Sequence, residues 1–135
     1  MDATAATRDA VHAWADALAA RDVDAVIATL HPTCVWINVP EPPATGHDEI
    51  RNLFTRILSH AHAAVVDIIS ESYEPGRGYF ERDDRFWIDG EEYNVVCNGV
   101  FEVDVDSGLI TAVRDYCDLA RWREQLASVA WRDDT

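Results

Sequence analysis

The spacing of the apolar residues changes once along this chain, near residue 62, and this change constrains the fold more than any other feature. Before it, apolar residues recur at helical spacing, and after it they alternate with polar residues in runs typical of strands. The turn-forming segments "PGRG", "DGEE" and "DVDSG" divide the second half into four runs, which predicts a meander of antiparallel strands. Helices followed by antiparallel strands indicate an α+β fold class.

The first half predicts three helices and one short strand. Residues 4–20 and the segment from Gly46 to His60 carry apolar residues at helical spacing. Between them, Asp22 or Asp24 can cap a helix that continues to about Leu30. The segment "CVWIN" then reads as a strand. The prolines of "VPEPPATG" predict a loop, because proline cannot donate a backbone hydrogen bond.

The second half supplies most of the predicted sheet. Its four runs are "AAVVDIISESYE", "GYFERDDRFWI", "EYNVVCNGVFEV" and "LITAVRDYCDL". A last helix is predicted from Leu119 to about Ala127, followed by a polar, loose tail from about residue 131. By geometric analogy, a curved antiparallel or mixed sheet of this kind would wrap around the N-terminal helices as a cone with a deep, mainly apolar pocket.

The length and charge of the chain limit its organisation and its partners. A chain of 135 residues favours one domain, spanning residues 1–135. The net charge of -14 would repel nucleic-acid phosphates and anionic lipid, so neither nucleic acid nor a membrane is an expected partner. No apolar run approaches the ~18 residues that span a bilayer, and the N-terminus does not resemble a signal peptide. The expected location is the cytoplasm.

The cysteine and histidine residues predict neither a disulfide nor a metal site. Cys34, Cys97 and Cys117 are widely spaced, odd in number and without a CxxC pair, so they are expected to be buried reduced thiols. The histidines form no HExxH pattern. No metal or other cofactor is therefore expected.

Charged residues interrupt the apolar face of the second alternating run. In "YFERDDRF", alternate positions place Phe80, Arg82, Asp84 and Phe86 on one face of a strand. Aromatic side chains belong in a core, where charges are rare unless they are paired. By the same alternation, Asp115 lies among apolar neighbours on the last strand.

Asn38 also shares a strand face with apolar residues, Cys34 and Trp36. Together with the charged residues above, four polar side chains are thus predicted to enter one interior. They are Asn38, Arg82, Asp84 and Asp115. Two interpretations are open at this point. The charged residues either form a buried ion-pair cluster that sets the sheet register, or they form an acid/base site.

The acid/base interpretation follows from two aspartates that share one arginine. Burial and mutual repulsion raise the pKa of one carboxyl group, whereas contact with the arginine lowers that of the other. One group can then donate a proton while the other accepts one. In an apolar pocket, such a pair suits the addition of water across the strained ring of an uncharged substrate.

The segments "YFERDDRF", "YNVVCNGVFEV" and "GLITAVRDYCDL" resemble the limonene-1,2-epoxide hydrolase family, within the cone-shaped superfamily named after nuclear transport factor 2. "NVPEPPATG" and "ADALAARD" are also similar, so the resemblance extends from about Ala13 to Leu119. It implies an enzyme that adds water to a small apolar epoxide in one metal-free step and releases a vicinal diol. It also implies a homodimer formed through the outer face of the sheet, where Val96 and Val100 are expected.

The resemblance implies a role for each polar residue of the predicted interior. Asp84 corresponds to the general acid that protonates the epoxide oxygen, and Asp115 to the carboxylate that accepts a proton from the attacking water. Arg82 corresponds to the arginine between them, and Asn38 to an amide that helps to hold the water. The pocket-lining residues implied by the resemblance and by the inward faces are Leu18, Ile57, Phe86, Val95 and Cys97.

Trp36 departs from the family pattern, which usually has at this position a tyrosine that orients the water. An indole N–H can donate a hydrogen bond but cannot accept one. Three functions therefore stay open. The first is hydrolysis with water held by Asn38 and Asp115. The second is an epoxide-opening cyclase, or a SnoaL-like isomerase or cyclase of a natural-product intermediate, in which Asp115 deprotonates the substrate itself. The third is non-catalytic binding of a small ligand.

Overall fold

The predicted helices and strands are present in the computed structural model, which describes residues 2–132. The helices are α1 (Ala3–Ala19), α2 (Val23–Ala28), α3 (Gly46–His60) and α4 (Leu119–Leu126). The strands are β1 (Leu30–Val39), β2 (Ala44–Thr45), β3 (Ala63–Glu74), β4 (Arg77–Ile88), β5 (Glu91–Asp104) and β6 (Leu109–Cys117). This order confirms the α+β fold class. None of these helices is long and apolar enough to cross a membrane.

One mixed sheet contains all six strands, in the order β2-β1-β6-β5-β4-β3. Strands β3 to β6 form the predicted antiparallel meander, and β1 joins its β6 edge in parallel. The sheet is curved and unclosed, and α1 and α3 pack against it. This arrangement confirms the predicted cone.

An aromatic cluster between α1 and the sheet forms the centre of the core. The rings of Trp14, Trp36, Phe80 and Phe101 are buried and contact one another. Burying one large apolar side chain contributes roughly 1.5–3 kcal/mol, so this cluster holds the helix firmly on the strands that carry the polar residues.

The segment between α2 and α3 differs from the prediction in two places. The helix ends at Ala28 and the strand begins at Leu30, because Leu30 pairs with Ile110 and is buried there. The strand register shifts between Leu30 and Val35, and this irregularity accommodates Pro32, which has no N–H for the ladder. The proline loop also contains the short strand β2, paired with β1.

The prediction of three reduced thiols is wrong for two of the cysteines. Cys97 and Cys117 lie opposite each other in the register of β5 and β6, with their Cα atoms 4.4 Å apart, and they form a disulfide. Cys34 is free and buried, and its burial raises the pKa of the thiol to about 12. The bond does not fit the expected cytoplasmic location, where such pairs are normally kept reduced.

Reduction of the Cys97–Cys117 disulfide is expected to lower the free energy of unfolding by about 2–4 kcal/mol, because the bond restricts the unfolded chain. Urea unfolding with and without a phosphine reductant measures this difference. The double variant Cys97→Ala/Cys117→Ala is the control, and the reductant should leave its unfolding curve unchanged. Identical curves for the oxidised and reduced wild-type protein would contradict the expected stabilisation.

Residues 131 and 132, where the predicted tail begins, contact α3. Trp131 packs on α3, where the Arg56 guanidinium lies 4.0 Å from its ring centroid and the His60 ring meets it edge-on at 5.0 Å. The backbone N–H of Arg132 also donates a hydrogen bond to His60 Nε2 at 3.0 Å. The indole ring therefore anchors the start of the predicted tail, and residues 133–135 lie outside the described residues.

Candidate active site

Arg82 holds two aspartates in the wall of a cleft, and all three side chains are buried. Its Nη1 and Nη2 donate to the two carboxylate oxygens of Asp115, at 2.7 and 2.8 Å. Its Nε and Nη2 also donate to Asp84, at 3.3 and 3.2 Å. Short, paired hydrogen bonds between charged groups are the strong ones, so Asp115 is the principal partner of the guanidinium and Asp84 the weaker one.

Gly99 makes this contact possible, and sequence reasoning did not assign it a role. It lies opposite Asp115 in the register of β5 and β6. A Cβ atom at this position would lie only 3.0 Å from Arg82 Nη1 and 3.1 Å from Asp115 Oδ1. Arg82 can therefore reach from β4 across β5 to β6 because position 99 has no side chain. A glycine inside a long strand was the available signal, since it often marks such a close approach.

The surroundings of Asp84 favour its protonated form. Burial raises the pKa of Asp84 to about 6, although the Arg82 guanidinium pulls it down, and the nearby Asp115 carboxylate adds to the increase. Burial also opposes the charge on Arg82, but the two aspartates outweigh this effect and raise the Arg82 pKa. Asp84 can therefore hold a proton in mildly acidic solution beside an arginine that stays charged.

Trp36 determines the orientation of the Asn38 amide. Asn38 lies beside Asp115 in the parallel register of β1 and β6, and Trp36 Nε1 donates to Asn38 Oδ1 at 3.0 Å. Because an indole N–H can only donate, the amide oxygen must face Trp36. No residue in the described part of the chain accepts a hydrogen bond from Asn38 Nδ2, so the amide N–H groups remain free to bind a molecule in the cleft.

The cleft encloses about 100 Å³ of free space and opens to solvent at its mouth, so it is smaller than the sites of drug-sized ligands. Its walls include Asn38, Trp36 and the two aspartates with Arg82, together with all five predicted lining residues: Leu18, Ile57, Phe86, Val95 and Cys97. Cys117 also lines the cleft. The lining residues that sequence reasoning missed are Trp14, Leu53, Phe54, Leu119 and Trp122. The i, i+4 spacing of Trp14 and Leu18 on α1 was a usable signal for the first of these.

Potential metal ligands within residues 2–132 gather at one place in the cleft wall. The ligand atoms of Cys97, Asp115 and Cys117 lie within 4.8 Å of one another. However, the two sulfur atoms are bonded to each other, and both oxygens of Asp115 accept hydrogen bonds from Arg82. In this oxidised state the group offers a metal ion only the remaining lone pairs of one carboxylate.

Comparison with known proteins assigns the chain to a family. A family model described as a SnoaL-like domain matches residues 11–113. The chain belongs to the SnoaL-like domain family. This SnoaL-like chain is also 30% identical to an LEH-like epoxide hydrolase from M. tuberculosis, over 92% of this chain and 91% of that chain, with a TM-score of 0.75. The predicted resemblance is thereby confirmed.

Other solved structures share the fold at lower identity. PrhC from Penicillium brasilianum NBRC 6234 is 15% identical, over 94% of this chain and 91% of that chain, with a TM-score of 0.82. A Shewanella denitrificans OS-217 protein assigned as a SnoaL-like polyketide cyclase is 12% identical, over 91% and 98% of the two chains, with a TM-score of 0.77. At these identities the likeness shows the fold alone, so the reaction has to be argued from the cleft.

Proposed function

We propose that this protein is an epoxide hydrolase that adds water to a small, mainly apolar epoxide and releases a vicinal diol. The observation that carries the proposal is the buried Asp84–Arg82–Asp115 cluster, in which one carboxyl group has a raised pKa and the other is paired bidentately with the arginine. A purely structural ion-pair cluster does not require a cleft, whereas this one lines the wall of a cleft open to solvent. The identity to the M. tuberculosis LEH-like epoxide hydrolase supports the same reaction.

In the proposed reaction, acid and base act in one step. The Asp84 O–H donates its proton to the epoxide oxygen as one ring C–O bond breaks. A water molecule attacks that carbon, forms the new C–O bond and releases a proton to Asp115. Arg82 holds both carboxyl groups in place throughout, and the return of a proton from Asp115 to Asp84 restores the starting state.

The proposed acid predicts a pH dependence. Because the pKa of Asp84 is raised to about 6, kcat/KM should fall about tenfold per pH unit above pH ~6, as the acid loses its proton. Initial rates between pH 5 and pH 9 measure this profile. Asp83→Asn removes the smallest contribution to the raised Asp84 pKa and should shift the profile only slightly, whereas a flat wild-type profile would argue against Asp84 as the acid.

A second candidate function is favoured by the Trp36–Asn38 hydrogen bond. With its oxygen bonded to Trp36, Asn38 offers the cleft only N–H donors. A water molecule can still accept from Asn38 and donate to Asp115, but it finds one acceptor fewer than it would beside a free amide oxygen. If a substrate hydroxyl takes the place of water, Asp115 would deprotonate that hydroxyl and the product would be a cyclic ether. The protein would then be an epoxide-opening cyclase.

Turnover in heavy-oxygen water separates these candidates. Limonene oxide and styrene oxide are supplied to the protein, and the products are analysed by mass spectrometry. We expect a diol that carries the label. Turnover of hydroxy-epoxides alone, without uptake of label, would identify a cyclase. Binding of epoxides without turnover would identify a ligand-binding protein and reject the proposed hydrolase.

Trp36→Tyr adds a second arm to this experiment. A tyrosine hydroxyl can accept as well as donate a hydrogen bond, which leaves the Asn38 amide free to turn toward water. Hydrolysis should therefore be unchanged or faster in this variant. A selective loss of hydrolysis would show that the indole itself supports the reaction.

We also propose that two copies of the chain associate through the outer face of the sheet. Val96, Tyr79 and Tyr116 are exposed there, at 46%, 41% and 49%, and Val100 is half-buried beside Tyr79. Val96→Arg would place two like charges in such an interface and is expected to produce monomers, as measured by analytical ultracentrifugation. Asp104→Arg, at the end of β5, is a control that should remain dimeric. A wild-type monomer would refute the proposal.

A further inference from the structure

A buried indole N–H without a partner belongs to the wall of the same cleft. Trp14, on α1, is 0% exposed, and its Nε1 is the one buried side-chain nitrogen or oxygen within residues 2–132 that has no hydrogen-bond partner. Buried polar groups in native proteins are nearly always paired, because a donor without an acceptor has lost its hydrogen bonds to water. This N–H therefore requires an acceptor from outside the described residues.

None of the side chains packed around Trp14 supplies an oxygen or nitrogen acceptor. The rings of Trp36 and Phe101 lie 5.3 Å away between centroids, and that of Phe54 lies 6.3 Å away. The Trp36 indole N–H is itself a donor, and the Arg82 guanidinium, 5.0 Å from the Trp14 ring centroid, also only donates. Nε1 is closed off from solvent in this structure, but Trp14 belongs to the wall of the cleft, so the remaining source of an acceptor is a molecule that enters the cleft and shifts this wall.

We infer that Trp14 Nε1–H binds a second oxygen atom of the substrate, so that the preferred substrate is an epoxide that also carries a carbonyl, hydroxyl or ether oxygen. This inference rests on the proposed function and adds a substrate class to it. In the proposed reaction the epoxide oxygen receives the proton of Asp84, so Trp14 needs a different acceptor. Arg82 contacts both Asp84 and the Trp14 ring. One small molecule can therefore contact the Asp84 carboxyl group and the Trp14 N–H together.

The inference separates oxygenated epoxides from hydrocarbon epoxides. A hydrocarbon epoxide would leave the N–H unpaired. A substrate with a second oxygen would give the N–H a direct hydrogen bond. A site built around such a hydrogen bond discriminates against analogues that cannot form it.

A matched pair of epoxides tests this discrimination. The pair is cyclohexene oxide and 2,3-epoxycyclohexanone, which adds a carbonyl oxygen, and an epoxycyclohexanol extends the comparison to hydroxyl. For wild type and for Trp14→Phe, kcat/KM with 2,3-epoxycyclohexanone is divided by kcat/KM with cyclohexene oxide. Comparing the two ratios cancels the intrinsic reactivity of the epoxides. We expect Trp14→Phe to lower the ratio about tenfold or more in favour of the hydrocarbon epoxide. An equal effect on both epoxides, or an unchanged ratio, would overturn the inference.

Trp87→Phe is the matched control for this comparison. Trp87 lies on β4, outside the described cleft, where the Arg85 guanidinium is 5.1 Å from its ring centroid. This variant also replaces an indole by a phenyl ring, and it should leave the ratio at its wild-type value. A shift as large as that of Trp14→Phe would show that the effect is not a property of the cleft.

An NMR titration tests the same contact in the wild-type protein and needs neither catalysis nor a variant that folds. The indole N–H signals of the five tryptophans are assigned through bonds, and unreactive cyclohexanone and cyclohexane are added. We expect the Trp14 N–H signal to move downfield with cyclohexanone alone. An unchanged Trp14 signal overturns the inference, whatever the activity. The expected shift in a protein that hydrolyses no epoxide would instead reject the hydrolase and keep the Trp14 site.

Discussion

Asp84→Asn is expected to abolish hydrolysis and, at the same time, to raise the free energy of unfolding at pH 7. The amide cannot protonate an epoxide oxygen, so kcat/KM should fall at least about 100-fold. Stability should change in the opposite direction, because burial disfavours the charged carboxylate and an uncharged amide of the same shape avoids that penalty. A group kept for catalysis would thus be a group that weakens the fold.

The sign of the stability effect follows from proton linkage. The pKa of Asp84 is about 6 in the folded protein, against an ordinary value of 3.8, so between these pH values the folded state holds a proton that the unfolded state has released. The stabilising contribution of protonated Asp84 therefore falls as the pH rises from about 4 to about 6, and it is absent above pH ~6. One pKa unit corresponds to about 1.4 kcal/mol, so Asp84→Asn should gain on the order of 1–3 kcal/mol at pH 7.

Urea unfolding at pH 7 and at pH 4 measures this gain. The difference between Asp84→Asn and wild type should be large at pH 7 and much smaller at pH 4, where the folded state and a large share of the unfolded chains hold the Asp84 proton. Asp83→Asn is the matched control, because Asp83 faces outward and accepts a hydrogen bond from Asn94 Nδ2 at 3.1 Å. A loss of stability in Asp84→Asn at pH 7 would show that Arg82 depends on the Asp84 charge and would contradict the expected effect.

Local spacing was enough to predict the inward-facing residues. The alternation in "YFERDDRF" is set by the pleat of a single strand, so Phe80, Arg82, Asp84 and Phe86 could be assigned to the buried face before any partner strand was known. The same holds for Asp115 on β6. Their catalytic roles stay a prediction, since placement in a cleft is a weaker statement than chemistry.

Features that depend on pairing between strands could not be predicted from local spacing. The Cys97–Cys117 bond and the close approach over Gly99 both follow from the register of β5 and β6, and register depends on the whole sheet. The beginning of β1 at Leu30 depends likewise on its pairing with Ile110. The unpaired N–H of Trp14 could be recognised only after every neighbour of the ring was known.

Asp115→Asn is expected to abolish hydrolysis as well, but to lower the free energy of unfolding where Asp84→Asn raises it. An amide is a poor proton acceptor, so the attacking water would have no base. Arg82 would also lose its principal partner, the carboxylate that accepts its 2.7 and 2.8 Å hydrogen bonds. Removing one partner of a buried ion pair typically costs about 3–5 kcal/mol, and urea unfolding at pH 7 measures the loss.

The second aspartate should absorb part of this loss. Without Asp115, the repulsion that helps to raise the Asp84 pKa disappears and Arg82 has one carboxyl group left to neutralise it. The pKa of Asp84 should therefore fall below its wild-type value, as measured by NMR titration of the carboxyl carbon. Opposite stability changes in two isosteric, inactive variants would identify Asp84 as the proton donor and Asp115 as the charged partner. Equal destabilisation by both would indicate that the cluster acts only as a structural ion pair.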